Sequence, residues 1–149
     1  MAPARHHVGV TLLELLVTLA LVGILAALAY PSYRGSLLRA HRIEAIDALL
    51  AVAAAQERFH VQHGRYAWRL DEGTDSPEQG LNIAAVTIGG HYQLGLTDAT
   101  PTDFVATATP RAGSGQEADE RCSRFSIHAN GRRSAADRHG TDTTWHCWG

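Results

Sequence analysis

The chain has 149 residues, with 13 basic side chains against 15 acidic ones and a formal net charge of −2 at pH 7. That length allows one small domain once a membrane segment is subtracted, and the near-neutral balance offers no overall attraction to nucleic acid or anionic lipid. No nucleophile motif, glycine-rich phosphate loop or pair of carboxylates with defensible spacing stands in the sequence, so neither an enzyme nor a cofactor is expected. All 13 basic residues are arginine, which we read as compositional bias of the genome.

The first nine residues are a short polar leader holding Arg5, His6 and His7. From Val8 to Tyr30 the chain is apolar enough to enter a bilayer, interrupted by one carboxylate, Glu14. Twelve Leu, Ile and Val residues lie between Val10 and Leu28. At about −0.3 to −0.6 kcal/mol each they favour insertion by about 4–7 kcal/mol. A carboxylate costs about 3 kcal/mol at the bilayer centre and less near an end. Glu14 is therefore tolerable, but hydropathy gives no reason to keep it. A secretory signal has a shorter apolar run and a small-residue cleavage site; here the run ends at Tyr30-Pro31 and passes into a charged helical pattern.

The octapeptide Gly9-Val10-Thr11-Leu12-Leu13-Glu14-Leu15-Leu16 resembles the class III signal of type IV pilins and the related pseudopilins. The resemblance implies that a prepilin peptidase cuts between Gly9 and Val10, that Val10 is then N-methylated, and that the apolar segment is retained. It also implies that Glu14 neutralises the ammonium of a neighbouring subunit's first residue, making it an assembly contact. Gly23 and Pro31 fall where the family commonly interrupts its helix, so a kink is expected there. Two departures are Val10, where Phe or Met is usual, and the single fixed positive charge of the leader.

Beyond Pro31 the pattern turns amphipathic. Ile43, Ile46, Leu49, Leu50, Ala53 and Ala54 recur at helical spacing among charged residues, and Gly64 supplies a stop. One kinked helix from Val10 to His63, about 80 Å long, is predicted. The aromatic run Arg65–Trp68 is expected to pack where helix meets head. A turn-rich loop over 71–80 follows, and then three candidate strands, His91–Leu96, Asp103–Pro110 and Arg124–Ala129, each alternating apolar with polar. The remaining tail reads as loop, with Asn130-Gly131 a turn. The expected fold class is α+β, the type IV pilin fold: a long kinked helix packed on an antiparallel sheet of three or more strands, with a C-terminal disulfide loop. Its parts are a leader at 1–9, an apolar transmembrane and assembly half-helix at 10–30, an amphipathic half at 31–63 and a globular head at 64–149.

Cys122 and Cys147 enclose the tail. A near-terminal disulfide loop is what the family carries, and the closing Cys147-Trp148 resembles minor pilins of the PilE type. A head exported to an oxidising compartment would favour such a bridge. The alternatives are free thiols or a metal site using His146 with His128 or His139, though no metal-ligand spacing supports the latter. His60 and His63 are read as a solvated helix end. Arg132, Arg133 and Arg138 could contact a DNA backbone, but Asp137 and Asp142 are interleaved and favour a solvated loop. The expected function is a structural, minor subunit of a type IV pilus, with prepilin peptidase, other pilin subunits and the bacterial inner membrane as partners before the fibre reaches the cell surface. Alternatives are a pseudopilin of a type II secretion system and a DNA-uptake receptor pilin.

Overall fold

A computed structural model describes residues 11–71 and 80–149. The leader at 1–9, the expected cut between Gly9 and Val10, and most of the turn-rich loop lie outside the described residues. The chain divides into two compact units, Met1–Leu37 and Leu38–Gly149.

A single helix, α1, runs from Leu12 to His63. Its start is capped: the Thr11 hydroxyl accepts the Glu14 N–H at 3.2 Å, and the Thr11 carbonyl accepts the Leu15 N–H at 3.1 Å. Thr11 and Glu14 thus stand at the cap and third positions of a Thr-x-x-Glu sequence whose hydroxyl-to-N–H half is formed, with the acid in the first turn where the helix dipole favours it. The helix passes through Gly23 and contains Pro31. It ends at Gly64, which takes φ +66° and donates its N–H to the His60 carbonyl at 2.8 Å, a left-handed stop that only glycine adopts without strain.

In the second unit, Ala45, Leu49, Val52, Ala55, Gln56 and Phe59 recur at three- and four-residue spacing and are buried. They face a four-stranded antiparallel meander in the order β1 (Tyr92–Thr97), β2 (Val105–Pro110), β3 (Arg124–His128), β4 (Arg133–Ala136). Register places Leu94 opposite Ala108 and Ala108 opposite Phe125, and Phe125 in turn opposite Ala135. These residues, with Tyr92, Ala106 and Ile127, form the inner face and pack with Leu49 and Val52 in one core. The aromatic run behaves as expected: Tyr66 meets Phe104 edge-on at 4.9 Å, and the Arg65 guanidinium lies over the Trp68 ring at 4.7 Å.

The first and second strands start one and two residues later than expected, and the first extends to Thr97. The tail, expected to be loop, instead contains β4 and a single-turn helix α2 (Thr144–Cys147). Arg-Ser-Ala-Ala is too short and too weakly apolar to announce a strand by alternation. It becomes one because the Ala129–Arg132 turn, closed by Gly131 at φ +78°, returns the chain alongside β3. Cys122 and Cys147 are joined in a disulfide, both buried, with Cα atoms 5.8 Å apart.

Polar side chains fasten the helix to the sheet at two levels. Gln56, fully buried, accepts the Ala67 N–H at 2.8 Å and donates to the Ala67 carbonyl at 2.9 Å. Nearer the start of the unit, Arg42 grips Asp119 with two bonds of 2.7 and 2.9 Å, the carboxylate buried and the guanidinium partly so. Gln116 donates to the Tyr92 hydroxyl at 2.8 Å and to the Leu38 carbonyl at 3.2 Å. His41 and His91 stack at 3.7 Å, and His91 Nδ1 lies 2.6 Å from Glu44. Burial would raise the Glu44 pKa, but hydrogen bonds from Thr87 and His91 outweigh it and hold the carboxyl below its ordinary value.

Two outcomes follow. Replacing Cys147 by Ser should lower the urea-unfolding free energy of the oxidised protein by about 3–4 kcal/mol, the chain-entropy value for a loop of this length; an unchanged midpoint would remove the bridge from the stability account. Because the Glu44 pKa is depressed on folding, its contribution is present above the unfolded value of about 4.3 and lost as pH falls through the lower folded value. Glu44→Gln should therefore be less stable than wild type at neutral pH, with the gap closing in acid. A gap that stays constant down to about pH 3 counts against the assignment.

Candidate functional site

Two surfaces of the described chain are built for something other than its own core. The first is the apolar half of α1. Leu12, Leu13, Leu16, Leu19, Val22, Ile24, Leu25 and Leu28 are each more than half exposed. Its most apolar window has a mean hydropathy of 2.5, and none of that window is buried. Helical spacing carries no polar stripe here, so every side of the helix presents hydrocarbon, and water is the wrong surrounding for it. Glu14 sits at the start of this surface, its backbone N–H satisfied by Thr11.

The second is the outer face of the sheet. Strand alternation sends Gln93, Gly95 and Thr97, then Val105, Thr107 and Thr109, then Arg124, Ser126 and His128, then Ser134 and Ala136 away from the core. Arg132, in the turn beside β4, joins them. Its backbone carbonyl accepts the His128 N–H at 2.9 Å, and its guanidinium lies 3.2 Å from His128 Nε2. This face carries two arginines, a histidine and five hydroxyl side chains, and no carboxylate stands on its strand positions. A shallow groove of about 390 Å³ crosses it between Thr97, Thr107, Thr109, Arg124, Ser126 and His128, with Asp98 at one end. Guanidinium and hydroxyl groups together are what a phosphate oxygen accepts from.

The three tail arginines singled out by sequence do not form one cluster. Arg132 is on the outer face. Arg133, one residue later, pairs with Ile127 in register and lies over the Trp148 ring at 5.3 Å. Arg138 is in a separate loop and ion-pairs with Glu120 at 2.5 Å. Sequence reasoning missed Arg124 and His128 as outer-face residues: His128 meets Arg132 at the turn, while Arg124 pairs with Ala136 at the other end of β3. Alternation within the predicted third strand was the signal that could have found them. The interleaved acids have local duties: Asp137 Oδ1 accepts the N–H groups of His139 and Thr141 at 2.8 and 2.9 Å, and Asp142 Oδ1 accepts that of Thr144 at 2.8 Å. Those backbone bonds, that from Thr141 foremost for Asp137 and that from Thr144 for Asp142, hold both carboxyls below their ordinary pKa.

Comparison with known proteins places these surfaces in a family. A family model described as type IV minor pilin ComP, DNA uptake sequence receptor, matches residues 31–126. Among curated relatives, the fimbrial protein EcpC of Eikenella corrodens is 30% identical over 104 residues, which is 70% of this chain and 63% of that protein. The type IV major pilin protein PilE1 of Neisseria gonorrhoeae is 35% identical over 83 residues, 54% of this chain and 39% of that one. The chain thus spans less than two thirds of the length of either relative. The non-core minor pilin PilV of Neisseria meningitidis shares the fold, with a TM-score of 0.52 at 18% identity over 71% of this chain and 93% of that one.

Proposed function

This chain belongs to the ComP family of type IV minor pilins, and we propose that it is a minor pilus subunit that also receives DNA on the outer face of its sheet. The observation that carries the structural role is the unburied apolar half of α1, more than half exposed at Leu12, Leu13 and Leu16. Such a surface is stable in a bilayer or among like helices. Before assembly it spans the bacterial inner membrane once; prepilin peptidase cuts between Gly9 and Val10, and Val10 becomes N-methylated. In the fibre the same surface packs on neighbouring subunits, and Glu14 pairs with a neighbour's amino terminus. Pro31 has no N–H to offer the Ala27 carbonyl, so with Gly23 it marks where α1 yields during that packing. The family's description favours a pilus over a type II secretion system.

DNA reception is favoured by the family's description and by a face that pairs Arg124 and Arg132 with hydroxyls and carries no carboxylate on its strand positions. Arg133 and Arg138 contribute less, because one covers Trp148 and the other is paired with Glu120.

Mass spectrometry of membrane-extracted protein should find a chain beginning at Val10 with one added methyl group; a chain still beginning at Met1 beside an active prepilin peptidase would sink the pilin role. Glu14→Leu should still insert and be cut, yet remain in the inner membrane rather than in sheared pili. The neighbour's ammonium would lose its partner in an apolar bundle, at a cost of about 3–5 kcal/mol. Because Glu14 is also in the capping turn, Glu14→Gln is the control: it keeps a capping-box side chain but not the charge, and should fail equally. Normal incorporation of both variants would leave the carboxylate without this role.

Full-length protein in detergent should bind duplex DNA in a salt-dependent way. Arg124→Ala combined with Arg132→Ala should flatten the log–log salt slope by about 2, whereas Arg138→Ala should change it little. No binding at low salt would dismiss DNA reception and leave the structural role standing.

A further inference from the structure

The disulfide loop ends in two tryptophans with opposite fates. Trp148 is held: its indole N–H donates to the Ser134 carbonyl at 2.8 Å, and its ring meets Phe125 edge-on at 6.1 Å. Trp145 is 93% exposed. Among the described residues its indole N–H meets no acceptor. Its backbone is nevertheless fixed. Thr143 donates its N–H to the Ala135 carbonyl at 2.9 Å, the Thr144 hydroxyl accepts the Ala135 N–H at 2.8 Å, and Cys147 is tied to Cys122. An indole displayed on a rigid frame contributes nothing to the core that bears it.

Trp145 stands in an open groove of about 970 Å³ whose rim carries Glu120, Arg121, Asp137, Arg138 and Asp142, with the imidazoles of His139 and His146 beside them. Two guanidiniums against three carboxylates give this groove no attraction for a polyanion, in contrast to the outer sheet face. The carboxylates have acceptor capacity to spare: Asp142 uses one oxygen on the Thr144 N–H and Glu120 one on Arg138, of about four lone-pair sites each. An exposed aromatic plane ringed by planar acceptors and donors, close to neutral overall, matches a ligand with one apolar face and a rim of hydroxyls. A pyranose ring has that form. Its C–H face stacks on an indole, and its vicinal hydroxyls bridge carboxylate and guanidinium groups.

We propose that the Trp145 groove is a binding site for uncharged saccharides, adjoining the face proposed to receive DNA at Asp142. The site is open and its anchor single, so dissociation constants of roughly millimolar order are expected for a disaccharide.

Saturation-transfer NMR on the full-length protein in detergent micelles, with lactose, cellobiose and diacetylchitobiose as probes, tests this. Transfer to ring C–H protons should appear for at least one probe and disappear in Trp145→Ala. Trp145→Phe should keep it at about tenfold weaker affinity, and Trp68→Ala should match wild type. Retention of the Cys122–Cys147 bridge in each variant checks the frame. Absence of transfer from all three probes, or transfer unchanged in Trp145→Ala, overturns the proposal. Duplex DNA affinity that drops in Trp145→Ala, with no saccharide bound, would also overturn it and assign the groove to nucleic acid.

Discussion

Everything in the second unit depends on one stripe. Ala45, Leu49, Val52, Ala55 and Phe59, flanked by Ile46, Ala48 and Ala53, are the apolar surface α1 turns to the head, and the meander packs on it. A sheet with one polar face must bury the other against something. Here the inner residues Tyr92, Leu94, Phe125 and Ile127 close over that stripe, with Ala106 and Ala108 between them in β2. Before Leu38 the same helix continues with no stripe, its large apolar side chains exposed. One helix is thus written for two surroundings, and the change in side-chain pattern beyond Pro31 is where one gives way to the other.

Apolar contacts of this kind set proximity better than register, since neighbouring helical faces differ little in area. The polar contacts supply what the stripe lacks. Gln56 matches both backbone groups of Ala67, so a helix rotated by one residue would leave them unsatisfied in a dry interior. Arg42 and Asp119 act likewise at the other level: losing Arg42 strands the buried Asp119 carboxylate, a change worth about 3–5 kcal/mol. Tyr92 belongs to both systems. Its ring is in the core while its hydroxyl, kept protonated by burial, accepts from Gln116.

The sequence made the helix and the first three strands legible because each carries a period that its burial demands, 3.6 residues in one case and 2 in the others. It did not make β4 legible, because Arg-Ser-Ala-Ala pairs through its backbone and owes its place to the turn before it. The candidate site shows the same division. Glu14 was visible as a charge out of place, yet its position in a capping box needed the bond from its N–H to Thr11. Arg132 and Arg133 are adjacent in sequence, but strand alternation puts them on opposite faces, so a count of tail arginines described no surface. Asp137 and Asp142 looked like charges set against DNA; in the fold both terminate backbone N–H groups, although Asp142, bridged to Ala136, still borders the outer face beside Arg124 and Ser126.

Net charge excludes less than it suggests. A total of −2 argued against a polyanion as partner, but the argument holds only for fields felt at a distance. At physiological ionic strength screening acts over about 8 Å, so a surface answers to the charges it carries and little else. On the outer sheet face those charges are Arg124 on β3 and Arg132 in the turn, with Asp98 and Asp142 at its borders. Around Trp145 they are two guanidiniums set among three carboxylates. The head therefore presents one surface suited to phosphate and another suited to neutral, hydroxyl-rich molecules, within a chain whose total charge points to neither. The disulfide fixes where that second surface sits: it ties the turn that displays Trp145 to Cys122, two residues before β3 begins.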